Sequence, residues 1–474
     1  MSPELDLFAV DCGSITAPAG CGKTHLIAST LGLHDGPKPI LILTHTNAGV
    51  AALKARLKRA DVPNSAYRVS TIDSWCIRLI SKFPLRSGHD PKVIRLENPG
   101  SDYAAVRKSA CGLLQSGDVS DALRATYRRL LVDEYQDCSL LQHAIICWAA
   151  TVLPTCVLGD PLQAIFDFRE PTVDWQTNVI AQFPSIGELQ TPWRWRNAGA
   201  EALGQWVLTV RNAFLSGQTL DLREAPSEVS WVQLDADPAK ARTQRLEAAR
   251  TKAPTTRGTV LVIGDSTKPQ SQRIIASQTP GATTVEASDL KDLTAFGRSF
   301  NPASPDASEV LITFAGEMMT NLGATELHRR VIILDKGTAR KEATPIESAA
   351  LAFHTSPSFT TAASAFEVFA EAPNVRVYRP EVLQVCLTAM RSAVSGECTF
   401  YEGLVRARER NRHLGRPTSK RAIGSTLLLK GLEADVVVVL NPDVMNRKDL
   451  YVALTRGAMR VVVCSQSPVL DPSH

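Results

Sequence analysis

Gly13–Thr30 reads GSITAPAGCGKTHLIAST: a short apolar run, a loop of small residues, and a helical stretch that opens on Lys23-Thr24. A loop of this kind, set between a strand and a helix, aims successive backbone N–H groups and the positive end of the helix dipole at phosphate oxygens. The spacing assigns Lys23 to the β/γ-phosphates and Thr24 to Mg²⁺, with Ala19, Gly20, Cys21, Gly22 and His25 completing the cradle. Ala17 stands where the general pattern has its first Gly, but the strand-loop-helix context keeps the reading. The alternative is a chance Gly-Lys-Thr turn.

Outward from this stretch, the first ~165 residues alternate short strands with helices. The runs PILILT (39–44), RVST (68–71), RLLVDE (129–134) and TCVLGD (155–160) are continuously apolar rather than alternating, which suits parallel strands buried on both faces. A second α/β series starts near Val229 with SWVQL and GTVLVIGD (258–265) and resumes with EADVVVVLNP (433–442) and MRVVVCS (459–465). Polar-apolar helical segments fill the stretch between Trp75 and Arg129. From about Ser266 to Ser419 the composition is largely helical, and the Ser/Pro/Thr-rich pieces NPASPDAS and HTSPSFTTAAS read as loops or linkers.

Composition bounds the function. The chain has 474 residues, with 52 basic against 48 acidic, so a net charge of +4 confines any basic surface to a local track. No apolar run approaches the ~18 residues of a membrane span, and the N-terminus has no basic region followed by an apolar stretch. A cytoplasmic protein with no membrane partner is expected. The ten cysteines form no CxxC and no zinc-finger spacing, and they read as structural thiols in a reducing compartment.

A nucleotide site needs a metal carboxylate, and LLVDEYQD (130–137) places two at the end of a buried strand. Asp133 would hold Mg²⁺ through water and Glu134 would orient and deprotonate the attacking water. Two adjacent carboxylates ending an apolar strand are costly unless a cation or hydrogen bonds satisfy them. An ordinary strand-terminal Asp-Glu pair is the alternative.

Together with the phosphate loop, DEYQD resembles the UvrD/Rep group of superfamily 1 DNA helicases. LTHTNAGVAALKARL (43–57) resembles that family's Thr-Asn segment, VLGDPLQAIFDFR (157–169) its Gly-Asp-x-x-Gln segment, and LQTPWRWR (189–196) the segment carrying a γ-phosphate Arg. LLLKGLEADVVVV (427–439) matches the Lys-Gly-Leu-Glu element and LYVALTRGAMR (450–460) the Val-x-x-Thr-Arg element. The resemblance implies an α/β fold of two RecA-like parallel-sheet P-loop NTPase domains with small helical insertions. ATP and Mg²⁺ would be used in the cleft between the two domains, with movement on single-stranded DNA in the 3′→5′ direction. It makes Gln163 the γ-phosphate sensor, Arg194 and Arg456 paired finger arginines, and Glu433 a ribose or nucleotide contact. For Arg194 a cation–π or structural role between Trp193 and Trp195 stays open, and for Arg456 a structural salt bridge.

The same resemblance divides the chain into a first motor domain at 1–75 and 129–198 and a small helical insertion at 76–128. The second motor domain would be 199–269 and 421–474, with a mostly helical insertion at 270–420. DNA contacts would come from His45, Thr46, Asn47, Thr71, Phe166, Phe168, Arg169 and Lys430. Phe166 and Phe168 could stack bases or be core aromatics. The family's pattern is broken in places. No Gln stands among the sixteen residues before Ala17, where the family reads adenine, and this leaves base selectivity open. His45 replaces an expected Phe, Ile72-Asp73 an expected Phe-His, and Ser425-Thr426-Leu427 an expected Thr-x-His. Basic runs at 54–59, 124–129 and 405–421, the last with seven Lys/Arg to one Glu, could touch phosphates or be solvated helix faces. In length and in its reduced accessory segments the chain is also similar to the helicase component of the Gabija antiphage system, which assembles with a TOPRIM-type nuclease. An alternative function follows: a regulatory ATPase or assembly subunit of a DNA-targeting antiphage nuclease complex, unwinding poorly alone. The expected partners are single-stranded or tailed duplex DNA and a nuclease subunit.

Overall fold

The computed structural model describes residues 5–166, 170–287, 289–414 and 419–472. The chain divides into two compact units: Met1–Trp231, Pro442–Val461 and Ser467–His474 form unit 1, and Val232–Asn441 with Val462–Gln466 form unit 2. Residues 199–231 and 442–461, read from sequence with the second motor domain, thus group with unit 1. The reason is in the side chains: Arg211 pairs with Asp160 and Arg456 reaches Gln163.

Unit 1 begins with β1 (Cys12–Thr16), α1 (Lys23–Gly32), β2 (Ile40–Thr44), α2 (Asn47–Arg59), β3 (Tyr67–Thr71) and α3 (Ile72–Lys82). The short α4 (Pro84–Ser87), α5 (Pro99–Gln115) and α6 (Ser120–Thr126) occupy the helical stretch, followed by β4 (Arg129–Val132), α7 (Leu140–Ala150) and β5 (Thr155–Gly159). Then come β6 (Ser185–Glu188), α8 (Trp193–Asn197), α9 (Glu201–Leu215) and β7 (Leu220–Asp221). The six-stranded sheet runs β3-β2-β4-β5-β1-β6, and every pairing is parallel.

The continuous apolar runs are explained by burial on both faces. Ile40, Ile42, Leu131 and Leu158 pack into one core with α1 and α2 residues such as Ile27 and Leu53. Their sequence neighbours Leu41, Leu43, Leu130, Val132 and Val157 point the other way, into a core with Trp75 of α3, Val106 of α5 and Ile146 of α7. The period of two along each strand distributes them. Helices α5 and α6 contribute Val106, Ala110, Leu113, Leu114 and Leu123 to this second core.

Unit 2 contains α10 (Pro238–Ala249), and its sheet is built on β8 (Val229–Gln233), β9 (Val260–Ile263) and β10 (Ala282–Thr284). Between β9 and β10 lies α11 (Pro269–Gln278). A helical series follows: α12 (Lys291–Ser299), α13 (Ala307–Gly316), β11 (Met319–Thr320), α14 (Ala324–Asp335), α15 (Pro345–Thr355), α16 (Phe359–Glu371), β12 (Arg376–Val377), α17 (Pro380–Val394) and α18 (Phe400–Leu414). The chain then returns through β13 (Arg421–Gly424), α19 (Thr426–Leu429) and β14 (Ala434–Val439), and ends with α20 (Arg447–Leu454), β15 (Gly457–Ser465) and β16 (Val469–Leu470). The second sheet has the order β10-β13-β9-β14-β15-β8, with β10, β13, β9 and β14 paired in parallel. The α/β expectation therefore holds for both units.

The helical series has its own core, in which Phe296, Phe300, Phe314, Phe353, Phe366, Phe369 and Phe400 pack with Leu311, Cys386 and Met390. Phe296 and Phe314 stack with centroids 4.0 Å apart. One expectation is corrected here. FTTAAS, read as a loop, is the first half of α16, because Ser358 and Thr361 form a capping box and Ala362, Ala363, Ala365 and Phe366 are buried.

One buried ion network ties this helical series to the sheet. Arg379 donates from Nε to Glu286 Oε1 at 2.7 Å and from Nη2 to Asp292 at 2.9 Å, and Arg273 reaches the same Asp292 at 2.6 Å. Removing one partner of a buried pair leaves an uncompensated charge, at a cost of about 3–5 kcal/mol. Arg379→Ala is therefore expected to destabilise unit 2 by about that amount in urea unfolding; a change below about 1 kcal/mol would show that the network carries no such weight.

Candidate nucleotide site

Strands β4, β5 and β1 are adjacent, so the segments that leave their C-terminal ends meet at one edge of the sheet. In parallel α/β sheets this edge is where ligands bind. After β1 comes the loop Ala17–Gly22, fixed to its neighbour by Ala17 N–H donating to the Gly159 carbonyl at 2.8 Å. Ala17 is 1% exposed and its methyl is part of the core, so the substitution for the usual Gly is accommodated by packing. Gly20 and Gly22 have φ of +72° and +90°, a conformation that favours glycine. Close approach constrains them further: a Cβ at Gly20 would lie 2.6 Å from Trp195 and one at Gly22 2.8 Å from Trp193.

Lys23 opens α1, and its Nζ lies 2.9 Å from Asp133 Oδ1 and 2.5 Å from Glu134 Oε1. Burial alone would lower the lysine pKa, but Asp133 first and Glu134 second outweigh it and hold it above the ordinary value. Burial raises the Asp133 pKa, with Lys23 opposing and Glu134 adding to the rise. Glu134 has φ of +56° and sits half-exposed at the strand end. Its second oxygen accepts from Gln136 Nε2 at 2.6 Å, and Gln136 Oε1 in turn accepts from the Asp160 N–H at 3.1 Å.

Asp160, fully buried after β5, accepts from Gln163 Nε2 at 3.1 Å and from Arg211 Nε at 3.2 Å. Arg211 also pairs with Glu188 at 2.6 Å. Gln163 Oε1 accepts from Arg456 Nη2 at 3.4 Å, and Arg456, 3% exposed, is further held by Thr455 Oγ1 at 2.7 Å and the Val452 carbonyl at 3.0 Å. Arg194 donates to the Thr455 carbonyl at 2.6 Å, and its backbone N–H donates to the Gly20 carbonyl at 3.0 Å. Its guanidinium also lies over the Trp195 ring at 5.4 Å, so the proximity to the loop and the cation–π contact exist together. Ala19 N–H donates to the Tyr451 hydroxyl at 3.3 Å.

The donor set suits a magnesium nucleotide. A flexible lysine, a buried carboxylate and a hydroxyl stand at the mouth of a loop with two glycines in the left-handed conformation. Mg²⁺ commonly takes one or two protein oxygens and leaves the rest to phosphate and water. Among the described residues no group of three or more His, Cys, Asp or Glu side chains gathers to hold a metal. Asp133 and the Thr24 hydroxyl would be the protein ligands. Thr24 Oγ1 accepts from Arg56 Nη1 at 2.8 Å, and the long stem of this exposed arginine lets it swing aside. Cys21 is buried in the loop, and burial, with Asp160 adding, pushes its thiol up to about 12, so it is a neutral packing group. His25 is exposed on α1. Glu433, exposed, and Lys430, half-buried, belong to unit 2.

The residues expected at DNA are placed differently from one another. Thr46 caps α2 and Thr71 caps α3, each accepting a backbone N–H at 3.0 Å. Asn47 is exposed at the start of α2. The rings of His45 and Phe166 lie 5.7 Å apart, tilted by 39°. Phe168 and Arg169 lie outside the described residues. Ile72 is a core residue, and Asp73 is bound by both nitrogens of an Arg107 fork at 2.7 and 2.8 Å, with Gln142 at 3.2 Å. Arg107 comes from α5 and also pairs with Glu170 at 2.9 Å.

Gln136, Asp160, Arg211 and Tyr451 were not singled out as site residues from the sequence. Arg211 leaves a trace there: Leu203, Val207, Val210, Arg211 and Phe214 share the buried stripe of α9, so the arginine interrupts an apolar face. Gln136 stands inside the acidic run DEYQD, whereas Tyr451 sits among apolar neighbours with no pattern pointing to the loop.

Residues 96–184 match the family described as UvrD/REP helicase N-terminal domain. Two curated relatives, each one subunit of an ATP-dependent helicase/nuclease, from Lacticaseibacillus casei (strain BL23) and Lacticaseibacillus paracasei, are 36% identical over 76 residues. That stretch covers 14% of this chain and only 6% of the length of either relative. Among solved structures, the helicase nonstructural protein 10 of an arterivirus in complex with DNA aligns with 96% of this chain and 60% of its own, at 9% identity and a TM-score of 0.34. The family match spans the acidic strand end, so residues 96–184 are similar to the N-terminal domain of UvrD/REP helicases, and the ordered motifs that resemble that group lie on both sides of the matched stretch.

Proposed function

We propose that the chain is a motor of the UvrD-like type, a DNA helicase or translocase that hydrolyses ATP with Mg²⁺ and moves on single-stranded DNA in the 3′→5′ direction. The observation that carries the reading is the pairing of Lys23 with Asp133 and Glu134, which joins the loop after β1 to the carboxylates after β4. Each of the two RecA-like halves that the reading requires has a six-stranded sheet to supply it.

Bound Mg²⁺ would neutralise charge on the phosphate oxygens. The loop N–H groups and the start of α1 bind the phosphates, and Lys23 exchanges its two carboxylate partners for phosphate oxygens. Glu134 is thereby released from Lys23 while Gln136 keeps it oriented, leaving Glu134 Oε1 able to accept a proton from the attacking water. Arg456 and Arg194 stabilise charge on the transferred phosphoryl group. Gln163, bonded to both Arg456 and Asp160, relays the state of that group.

A second reading, a regulatory ATPase that assembles with a nuclease and unwinds poorly alone, is favoured by Asp73. A carboxylate engaged by Arg107 stands where the family's aromatic-basic pair is expected, and that is a poor group to face DNA phosphates. The name of the curated relatives, which joins helicase and nuclease, accords with a nuclease partner.

Glu134→Gln is expected to lower the turnover of ATP by ~10²–10⁴ and Arg456→Ala by ~10³–10⁵, both with the fold retained by circular dichroism. Lys23→Ala and chelation of Mg²⁺ are expected to abolish hydrolysis. Wild-type rates in the Lys23 and Glu134 variants would sink the proposal. For the second reading, unwinding of a 3′-tailed duplex should be slow with the isolated chain and the chain should co-purify with a nuclease; fast unwinding by the chain alone would count against it.

A further inference from the structure

Asp160 is fully buried, and hydrogen bonds join it to Gln136, Gln163 and Arg211. Its carboxylate accepts from Gln163, which leads to Arg456, and lies beside the Tyr451 hydroxyl, which receives the Ala19 N–H of the phosphate loop. Its backbone N–H donates to Gln136, which holds Glu134. A carboxylate kept at this depth needs a counter-charge, since an unpaired buried ion is strongly unfavourable. The counter-charge comes from α9: Arg211, 3% exposed, donates from Nε to Asp160 and from Nη1 to Glu188 on β6.

We propose that Arg211 is a positioning residue for nucleotide hydrolysis, acting through Asp160 to set Tyr451 against the phosphate loop and Gln163 against Arg456. The inference rests on the ATPase reading above. Arg211 touches no phosphate-loop atom in the contacts described, and it needs none. By fixing the ionised carboxylate in one orientation it presents one oxygen to Gln163 while Glu188 holds the other side of its own fork. Without it, the Asp160 carboxylate is free to turn, and its acceptor position is no longer set for Gln163. Lysine at this position keeps the charge but loses the fork that spans Asp160 and Glu188.

The test uses the full chain with Arg211→Gln, Arg211→Lys and the double variant Asp160→Asn/Arg211→Gln, measured for kcat and KM of ATP alongside thermal melting. Arg211→Gln is expected to lower kcat at least ~10-fold while the protein stays folded, with Arg211→Lys intermediate. The double variant should regain part of the loss, because asparagine leaves no unpaired charge yet still accepts hydrogen bonds. Should Arg211→Gln fail to fold, Tyr451→Phe reads one branch alone: a raised KM with kcat nearly unchanged supports the relay, and both constants unchanged overturn it. If all folded Arg211 variants hydrolyse ATP at the wild-type kcat and KM, Arg211 only packs the core and the inference is wrong. If the wild-type chain hydrolyses no ATP, it is instead the ATPase reading that fails.

Discussion

The contact on which the site depends is an ammonium held between two carboxylates at the edge of a parallel sheet. Asp133 and Glu134 end an apolar strand whose residues are fully buried, and such a pair cannot stay ionised there without compensation. Lys23 provides it, and can do so because β5 alone separates β1 from β4 in the sheet order. The same lysine is the residue that a phosphate would recruit. A strained Glu134 backbone, a glycine loop pressed between tryptophans, and a glutamine clamping the second carboxylate oxygen all serve to keep these three groups in register.

Around that contact the structure adds a polar layer under the loop. Gln136, Asp160, Gln163, Arg211 and Arg456 are each at most 7% exposed, and they satisfy one another through hydrogen bonds rather than through solvent. Buried polar networks of this kind are costly when incomplete and rigid when complete. In the proposed motor such a layer would carry a displacement at Gln163 to its hydrogen-bond partners Arg456 and Asp160.

Much of this was legible in the sequence, and the reasons for the remainder are physical. The strands β1, β2, β4, β5, β9 and β14 stand out because burial on both faces demands unbroken apolar runs. Strand β6, SIGE, does not, since it lies at the sheet edge with no fully buried residue and a glycine in its middle. Strand β13 is only four residues long and follows a basic tract, so RAIG carries little periodic signal. The loop and its carboxylates were readable because their spacing is local. Arg211 lies 51 residues from Asp160 and Arg107 lies 34 from Asp73, and no local pattern links such partners. Asp73 is the instructive case: the sequence shows an altered position, and only the fold shows that the carboxylate there anchors α5.

This edge of the sheet is proposed to hydrolyse ATP in a way that responds to DNA. Steady-state ATP hydrolysis by the purified chain in the presence of Mg²⁺, with and without single-stranded DNA, tests it most directly. Measurable hydrolysis that rises on adding the strand is expected. Absence of hydrolysis under both conditions would contradict it.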